Sequence, residues 1–104
     1  MATFTVHQTR EDLHETHTDD FFRLSFNADR YNAEDFQFFN PVARVEAVDM
    51  EHVFHLMNAW NDLDRVRRYA PLHSLSVGDI IETHTGEHEY YIVDRFGFKK
   101  IEVC

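Results

Sequence analysis

Histidine is frequent in this chain, with eight copies among 104 residues, and neutral imidazole is a common metal ligand. A zinc site needs three or four converging ligands, and the His-Glu-x-x-His pattern of metalloproteases is absent. The spacing of the histidines therefore favours solvated or helix-edge side chains, and the sequence predicts no metal site and no cofactor. The histidines that lie three or four residues apart are His14 with His17, His52 with His55, and His84 with His88.

Nucleophilic chemistry has little support in the sequence. Cys104 is the only cysteine and the last residue, so no intrachain disulfide can form. Ser74 and Ser76 lie near His73 along the chain, but nearness in sequence establishes no catalytic geometry. The three glycines are scattered and cannot form a loop that cradles phosphate. We therefore expect that the chain is not an enzyme.

The charge of the chain narrows the class of partner. Its formal net charge of −9 argues against nucleic acid or an anionic membrane as the main ligand. Carboxylates are concentrated between residues 11 and 35, where they could imitate the phosphates of DNA and occupy the basic cleft of a nucleic-acid-handling protein. The alternative is that they only keep the protein in solution. The candidate partner-binding residues are Glu11, Asp12, Glu15, Asp19, Asp20, Asp29, Glu34 and Asp35.

Length and hydropathy predict one cytoplasmic domain over residues 1–104. A hydrophobic content of 43% supplies enough apolar surface for one core. No apolar run approaches the roughly 20 residues that span a bilayer. The first residues lack the basic and apolar regions of a signal peptide. If a phage encodes the protein, the expected compartment is the cytoplasm of the host cell.

The first 40 residues are acidic and give few structural signals. β-Branched and aromatic residues predict a strand over 3–7, and an alternating pattern predicts a half-buried strand over 21–26. The strand over 3–7 is expected at an edge of the sheet, where it could pair with a second copy across a two-fold axis. Asn40-Pro41 predicts a boundary before the next element.

The elements are clearer from residue 42 onward. Alternating small or branched side chains predict a strand over 42–48, and Asp49 is a suitable N-cap for a helix that ends near residue 61. Residues 61–76 read as an irregular, charged connection with a small basic patch. The patch consists of Arg65, Arg67 and Arg68, and the predicted apolar stripe of the helix contains Met50, Val53, Phe54, Leu56, Met57 and Trp60.

The last third of the chain predicts a three-stranded antiparallel meander. Its strands are expected over 79–83, 89–94 and 98–103, with turns at Thr85-Gly86-Glu87 and Phe96-Gly97. A strand, a helix, a connection and then a meander are typical of the α+β class. The predicted fold is an antiparallel sheet whose C-terminal meander packs against one main helix.

Two segments of this second half resemble a known family. Residues 74–79 read Ser-Leu-Ser-Val-Gly-Asp, and residues 90–98 read Tyr-Tyr-Ile-Val-Asp-Arg-Phe-Gly-Phe. Together they resemble the YodL-like domain family, over roughly the last 60 residues (42–103), with residues 1–40 outside the match. The resemblance implies a small stand-alone protein, or a module of a large protein, of bacteria, phages or conjugative elements. It implies no biochemical mechanism.

Four residues of these segments form a candidate ligand or turn cluster. Gly78 is expected to adopt a backbone conformation that other residues resist, and Asp79 to cap the resulting turn. This structural role is the main expectation for the cluster. The alternative is a small-ligand site with a concave pocket. The cluster consists of Gly78, Asp79, Tyr91 and Asp94.

These observations support two hypotheses of function, and a third, a metal-dependent enzyme, would require that metal be retained after chelator treatment. The first is a small acidic protein of phage or mobile-element type that binds a host or defence protein, with a basic nucleic-acid-handling protein as the expected partner. Its effect would be counter-defence, such as anti-restriction or anti-CRISPR activity, or host takeover. The alternative is a housekeeping regulatory or small-ligand-binding module. Both hypotheses exclude direct contact with nucleic acid or membrane, and both leave a homodimer open.

Overall fold

The computed structural model describes residues 2–9, 16, 31–59, 66–68, 75–84, 88–94 and 97–103. Within them the chain forms six strands, one α-helix and one 3-10 helix. The α-helix is α1 (Met50–Ala59), and the 3-10 helix is Ala33–Phe38. The strands are β1 (Ala2–Thr9), β2 (Phe39–Ala47), β3 (Val66–Arg68), β4 (Ile80–Thr83), β5 (Tyr90–Asp94) and β6 (Gly97–Ile101).

All six strands join in one antiparallel sheet with the order β3-β2-β1-β4-β5-β6. β1 lies in the interior of this sheet, because β2 pairs with one side of it and β4 with the other. The prediction of a strand at 3–7 is confirmed, but its placement at an edge was wrong. Both sides of β1 are occupied within the chain, so it cannot pair with a second copy without unfolding the sheet.

The α+β class and the C-terminal meander are confirmed. β4, β5 and β6 follow one another as antiparallel neighbours, within two residues of the predicted bounds. The predicted turn at 85–87 and the predicted strand at 21–26 lie outside the described residues. No described helix is long and apolar enough to cross a membrane.

One face of the sheet packs against α1 and forms the main core. Alternate residues of β1 and β2 point to this face, as the period of two in a strand requires. Val53, Leu56 and Met57 of α1 cover them, and each of the three is at most 2% exposed. The buried residues of this core on the strands are Phe4, Val6, Val42, Ala43, Val45, Ala47, Ile81 and Val93.

The opposite face carries a second cluster, the aromatic layer, which the 3-10 helix helps to form. The ring of Phe36 stacks against Phe39 at 6.4 Å and meets Tyr90 edge-on at 5.4 Å. Aromatic pairs at such distances stabilise a core beyond the area that they bury. The aromatic layer consists of Tyr31, Phe36, Phe38, Phe39 and Tyr90, which pack with Ile80, Ile92 and Ile101.

β2 begins before the predicted boundary and runs through Pro41. Val6 pairs with Ala43 and His7 pairs with Pro41, so Val42 is an extra residue that forms a bulge. Proline donates no hydrogen bond, and a bulge is one of the few places where a sheet accepts it. The predicted boundary at Asn40-Pro41 was therefore wrong, because the bulge lets the strand continue.

α1 begins where the sequence predicts. Asp49 Oδ1 accepts a hydrogen bond of 2.9 Å from the backbone N–H of His52, and His52 Nδ1 accepts one of 3.0 Å from the N–H of Val48. The first bond occupies one of the donors that the first turn of a helix leaves free, and the second holds the backbone just before the helix. Phe54 departs from the prediction, because it is 40% exposed instead of buried. The helix turns Val53 and Leu56 to the sheet and leaves Phe54 at the side.

The connection between α1 and β4 is more regular than predicted. Val66–Arg68 forms the edge strand β3, which pairs with β2. Three residues are too few to show the alternation on which strand prediction depends. Arg67 and Arg68 are exposed on this strand, and Arg65 lies outside the described residues. The part of the basic patch that is described thus belongs to a sheet edge, where charge discourages pairing with other chains.

Candidate functional site

A groove lies between α1 and the β5–β6 hairpin, and we call it the α1–hairpin groove. Its volume is about 850 Å³, which is within the size range of ligand sites in proteins. Both α1 and the β5–β6 hairpin line the groove with apolar and polar side chains. The lining residues are Glu51, Phe54, His55 and Asn58 of α1, Ser76 and Val77 of the turn before β4, Val93 and Asp94 of β5, and Gly97 and Phe98 of β6.

The turn that supplies Ser76 and Val77 is fixed by hydrogen bonds. Gly78 has a φ of 96°, which residues with a Cβ rarely adopt, so the predicted role of this glycine is found in the structure. Asp79 Oδ2 accepts hydrogen bonds from the N–H of Ser76 at 3.0 Å and from Gln8 Nε2 at 3.1 Å. Asp79 is 5% exposed. It therefore caps the turn, as predicted, and also ties it to the interior strand β1.

Backbone hydrogen bonds join the same turn to β5. The N–H of Gly78 donates to the carbonyl of Val93 at 3.0 Å, and the N–H of Val93 donates to the carbonyl of Asp79 at 2.8 Å. The turn and the end of β5 are thus held side by side. The two sequence segments that carry the family resemblance meet at this point, and both contribute residues to the groove.

The groove offers an apolar surface beside polar groups. Phe54 is one of two large hydrophobic residues that are exposed among the described residues, and it lines the groove. Asn58 Oδ1 is buried and has no hydrogen-bond partner within the described part of the chain. A buried acceptor without a donor is uncommon in folded proteins. An N–H group of a ligand would satisfy it if the Asn58 side chain turned toward the groove.

A second constellation lies on the other face of the sheet, beside the aromatic layer. His7 is 6% exposed and contacts Phe36, with ring centroids 5.2 Å apart. Its Nε2 lies 2.9 Å from Glu82 Oε1, and its Nδ1 is buried without a hydrogen-bond partner. A neutral imidazole with the proton on Nε2 fits these surroundings, because Nε2–H can donate to the carboxylate and Nδ1 then carries no proton.

Glu82 also contacts two histidines at the end of the β4–β5 hairpin. His88 Nδ1 lies 2.8 Å from Glu82 Oε2, and His84 Nε2 lies 3.9 Å from the same oxygen. The two imidazole rings are 4.8 Å apart. The antiparallel pairing of β4 with β5 brings His84 and His88 together, since one follows β4 and the other precedes β5.

Burial and hydrogen bonding set the charges of this constellation. Burial lowers the pKa of His7, although the hydrogen bond to Glu82 opposes this effect. Burial acts to raise the pKa of Glu82, but hydrogen bonds from His7 and His88 outweigh it and hold the pKa below the ordinary value of 4.5. Near pH 7 the carboxylate is therefore charged and His7 is neutral.

The low pKa of His7 predicts that acid destabilises the fold. The unfolded chain protonates this histidine near its ordinary pKa of 6.5, whereas the folded chain resists protonation. Stability is therefore greatest above that pKa and falls as the pH falls below it. Burial, Glu82 and the like-charged His84 act on this group, and Phe36 and Tyr90 cover it.

Urea unfolding from about pH 7.5 to about pH 5, with a chelator present, tests this prediction. We expect a smaller loss of stability for His7→Gln, because its amide can donate to Glu82 but does not titrate. Equal slopes for the two proteins would contradict the assignment to His7.

The residues predicted to bind a partner are only partly placed by the structure. Glu34 is exposed, but Asp35 is 6% exposed and accepts a hydrogen bond of 2.9 Å from the N–H of Asn32. Asp35 thus caps the 3-10 helix and presents little of its carboxylate to solvent. The other six, Glu11, Asp12, Glu15, Asp19, Asp20 and Asp29, lie outside the described residues.

The four residues of the candidate ligand or turn cluster do not form one site. Gly78 and Asp79 form the turn, and Asp94 lines the groove. Tyr91 does not line the groove; its hydroxyl donates to Glu89 Oε2 at 2.5 Å. Glu82, His7 and Phe54 contribute most to the two sites, but no motif or spacing in the sequence marks any of them as a site residue. Their roles depend on strand register and on the rotation of α1, which spacing along the chain does not show.

The sheet order, the packing of α1 on one face and the two sites define a small α+β domain. A family model described as the YodL-like domain matches residues 3–103. The chain belongs to this family. No curated protein and no solved structure matches it.

The family match is longer than predicted. It includes β1, the aromatic layer and the 3-10 helix, so the expectation that residues 1–40 lie outside it was wrong. The structure gives the reason, because β1 is an interior strand that the C-terminal meander needs as its neighbour. The two recognisable segments are only the most distinctive part of the domain.

Proposed function

We propose that this chain is a non-catalytic module that binds another protein, and that the α1–hairpin groove holds a segment of that partner. The observation that carries this proposal is the groove itself, in which an exposed phenylalanine and a buried, unpartnered amide oxygen lie together. A partner's apolar side chain would cover Phe54, and a rotation of the Asn58 side chain toward the groove would let its Oδ1 accept from one of the partner's N–H groups.

The open form of the groove favours a polypeptide segment over a small metabolite. Glu51, Phe54 and His55 are all exposed along one wall, so a ligand would remain in contact with solvent along its length. Small molecules are usually enclosed over most of their surface. A peptide segment needs less enclosure, because the rest of its protein can add contacts around the groove.

Charge complementarity indicates the chemistry of the partner segment. Glu51 and Asp94 place two carboxylates on the lining of the groove, and the whole chain carries a net charge of −9. A segment with an apolar anchor beside lysine or arginine would fit both features. The long-range field of the acidic chain would accelerate encounter with a basic partner, and salt would weaken this effect.

The setting that we propose is that of a phage or mobile element. In this setting a basic nucleic-acid-handling protein of the host, or of its defence system, is the partner, and the acidic segment at 11–35 steers the approach. Counter-defence or host takeover would follow from blocking that protein. Acidity and the kind of organism implied by the family resemblance support this setting.

A small-ligand-binding module is the second candidate, since the groove volume of about 850 Å³ also suits a small molecule. The two candidates differ in their response to salt. Binding of a basic protein weakens as the salt concentration rises, whereas binding of an uncharged small ligand does not.

Two charge substitutions at exposed hydrophobic residues test the proposal. Phe54→Lys places a positive charge in the groove, and Val48→Lys places the same charge on a residue that is 67% exposed and does not line the groove. Tagged wild-type and variant proteins would capture partners from a lysate of the encoding cells, at low and high salt. The isolated partner would then be titrated against each protein.

We expect Phe54→Lys to reduce the affinity at least about tenfold, because it removes the apolar contact of the phenylalanine and sets a positive charge against the partner's lysine or arginine. Val48→Lys should bind like the wild type. If both variants bind the partner equally well, the groove is not the binding site. A failure of the wild-type protein to retain any protein at either salt would overturn the proposal of a protein partner.

A further inference from the structure

We propose that Glu82, His84 and His88 form a binding site for a divalent cation, of the kind that zinc occupies, at the end of the β4–β5 hairpin. This site lies on the aromatic-layer face of the sheet and is separate from the α1–hairpin groove. The proposal does not depend on the proposed protein-binding function.

The geometry supplies three converging ligands. One ligand atom from each of the three residues lies within 4.8 Å of the other two. Zinc accepts imidazole nitrogen and carboxylate oxygen at about 2.0–2.2 Å, so its ligands in a tetrahedral site are roughly 3.3 Å apart. The observed separations from Glu82 Oε2, 2.8 Å to His88 Nδ1 and 3.9 Å to His84 Nε2, bracket that value. Small rotations of exposed imidazoles would complete the site.

The buried His7 orients the carboxylate of Glu82. His7 Nε2 donates a hydrogen bond of 2.9 Å to Glu82 Oε1. The other carboxylate oxygen, Oε2, is thereby directed toward His84 and His88. The side chain of Glu82 is only 12% exposed, and that of His7 is 8% exposed. Metal-ligating carboxylates in proteins usually have such a second hydrogen-bond partner, which fixes their orientation. A random surface cluster of acidic and basic groups lacks this support.

Two existing contacts would change when the metal binds. His88 Nδ1 donates a hydrogen bond of 2.8 Å to Glu82 Oε2, and this nitrogen would have to give up its proton to bind the metal. His84 Nε2 lies 2.7 Å from the hydroxyl of Thr5, so the nitrogen lone pair would have to turn from that hydroxyl to the metal. The side chains of His84 and His88 are 32% and 52% exposed. The outer side of the site is therefore open, and water would complete the coordination.

Binding at this position would join the ends of two strands. Glu82 and His84 belong to β4 and the residue after it, and His88 precedes β5. A metal that binds the folded hairpin but not the unfolded chain stabilises the fold by mass action. We therefore expect the cation to act as a structural clip on this hairpin.

The test is titration of the untagged, metal-free protein with Zn²⁺, followed by calorimetry and by thermal unfolding. We expect one equivalent to bind and the unfolding midpoint to rise by about 5 °C or more at saturation. Co²⁺ in place of Zn²⁺ should give the strong visible absorption of a four-coordinate site with nitrogen and oxygen ligands.

Two double variants, one in the proposed site and one on α1, each remove two histidines. His84→Asn with His88→Asn removes two ligands, whereas His52→Asn with His55→Asn removes a pair of similar spacing from α1. Glu82→Gln preserves the shape of the third ligand but removes its charge. We expect the first double variant and Glu82→Gln to lose at least about tenfold in Zn²⁺ affinity, and the α1 double variant to bind like the wild type.

Three outcomes would overturn the proposal. Equal affinity in wild type and the His84/His88 double variant would exclude the site. An equal loss in both double variants would show adventitious binding by surface histidines only. If Glu82→Gln kept the Zn²⁺ affinity of the wild type, the carboxylate of Glu82 would not be a ligand. Because His84 and His88 are exposed, we expect their replacement to leave the fold intact. Circular dichroism of each metal-free variant checks this, so that a loss of binding can be distinguished from a loss of folding.

Discussion

Replacing Asp79 with alanine is expected to lower the free energy of unfolding by about 2–4 kcal/mol. The substitution removes the acceptor of two donors, the N–H of Ser76 and Nε2 of Gln8, and a buried donor left without its acceptor costs about 1–3 kcal/mol. Asp79 and Gln8 are 5% and 2% exposed, so water cannot easily replace the lost acceptor. Urea unfolding of the wild-type and variant proteins measures the difference.

Asp79→Asn is the matched control for this prediction. It preserves one side-chain oxygen that can accept from Ser76, so its cost should be clearly smaller than that of alanine. Because Ser76 and Val77 line the α1–hairpin groove, the alanine variant should also bind the partner more weakly. If Asp79→Ala unfolds at the same urea concentration as the wild type, the turn does not depend on this carboxylate.

Replacing Leu56 with alanine is expected to cost about 2–5 kcal/mol, the range for large-to-small changes in a packed core. Leu56 is 2% exposed and packs α1 onto the sheet with Val53 and Met57. The change removes apolar contact and leaves a cavity between the two layers. Thermal or urea unfolding of the wild-type and variant proteins would measure this loss of stability.

Phe54→Ala on the same helix provides the contrast. Phe54 is 40% exposed, so its truncation should cost much less stability than that of Leu56 but should weaken partner binding. A larger loss of stability from Phe54→Ala than from Leu56→Ala would mean that the helix packs with a different face.

The regular elements could be predicted because their signals are local. Alternation identified β2, turn residues identified the strands of the C-terminal meander, and Asp49 identified the start of α1. The position of β1 could not be predicted, because an isolated alternating strand carries no information about its neighbours. The bulge at Val42 hid the true start of β2, since the sequence shows only a proline that usually ends a strand.

The sites were harder to predict than the elements, because each depends on tertiary contacts. The role of Gly78 and Asp79 in a turn follows from local chemistry and was predictable. The pairing of His84 with His88 was visible as a spacing, but the spacing alone shows only two ligands. The third ligand, Glu82, and its support from His7 come from the register of β1 against β4. Phe54 matched a buried pattern, and only the rotation of α1 leaves it in the groove.

The most direct test of the central claim, that the α1–hairpin groove binds a protein segment, is site-specific photocrosslinking in the encoding cells. A benzophenone amino acid would replace Phe54 in one protein and Val48 in another; both side chains are exposed, but only Phe54 lines the groove. We expect a light-dependent adduct at position 54, to a partner peptide that contains lysine or arginine, and little adduct at position 48. Equal adducts at both positions, or an adduct at position 48 alone, would contradict the claim.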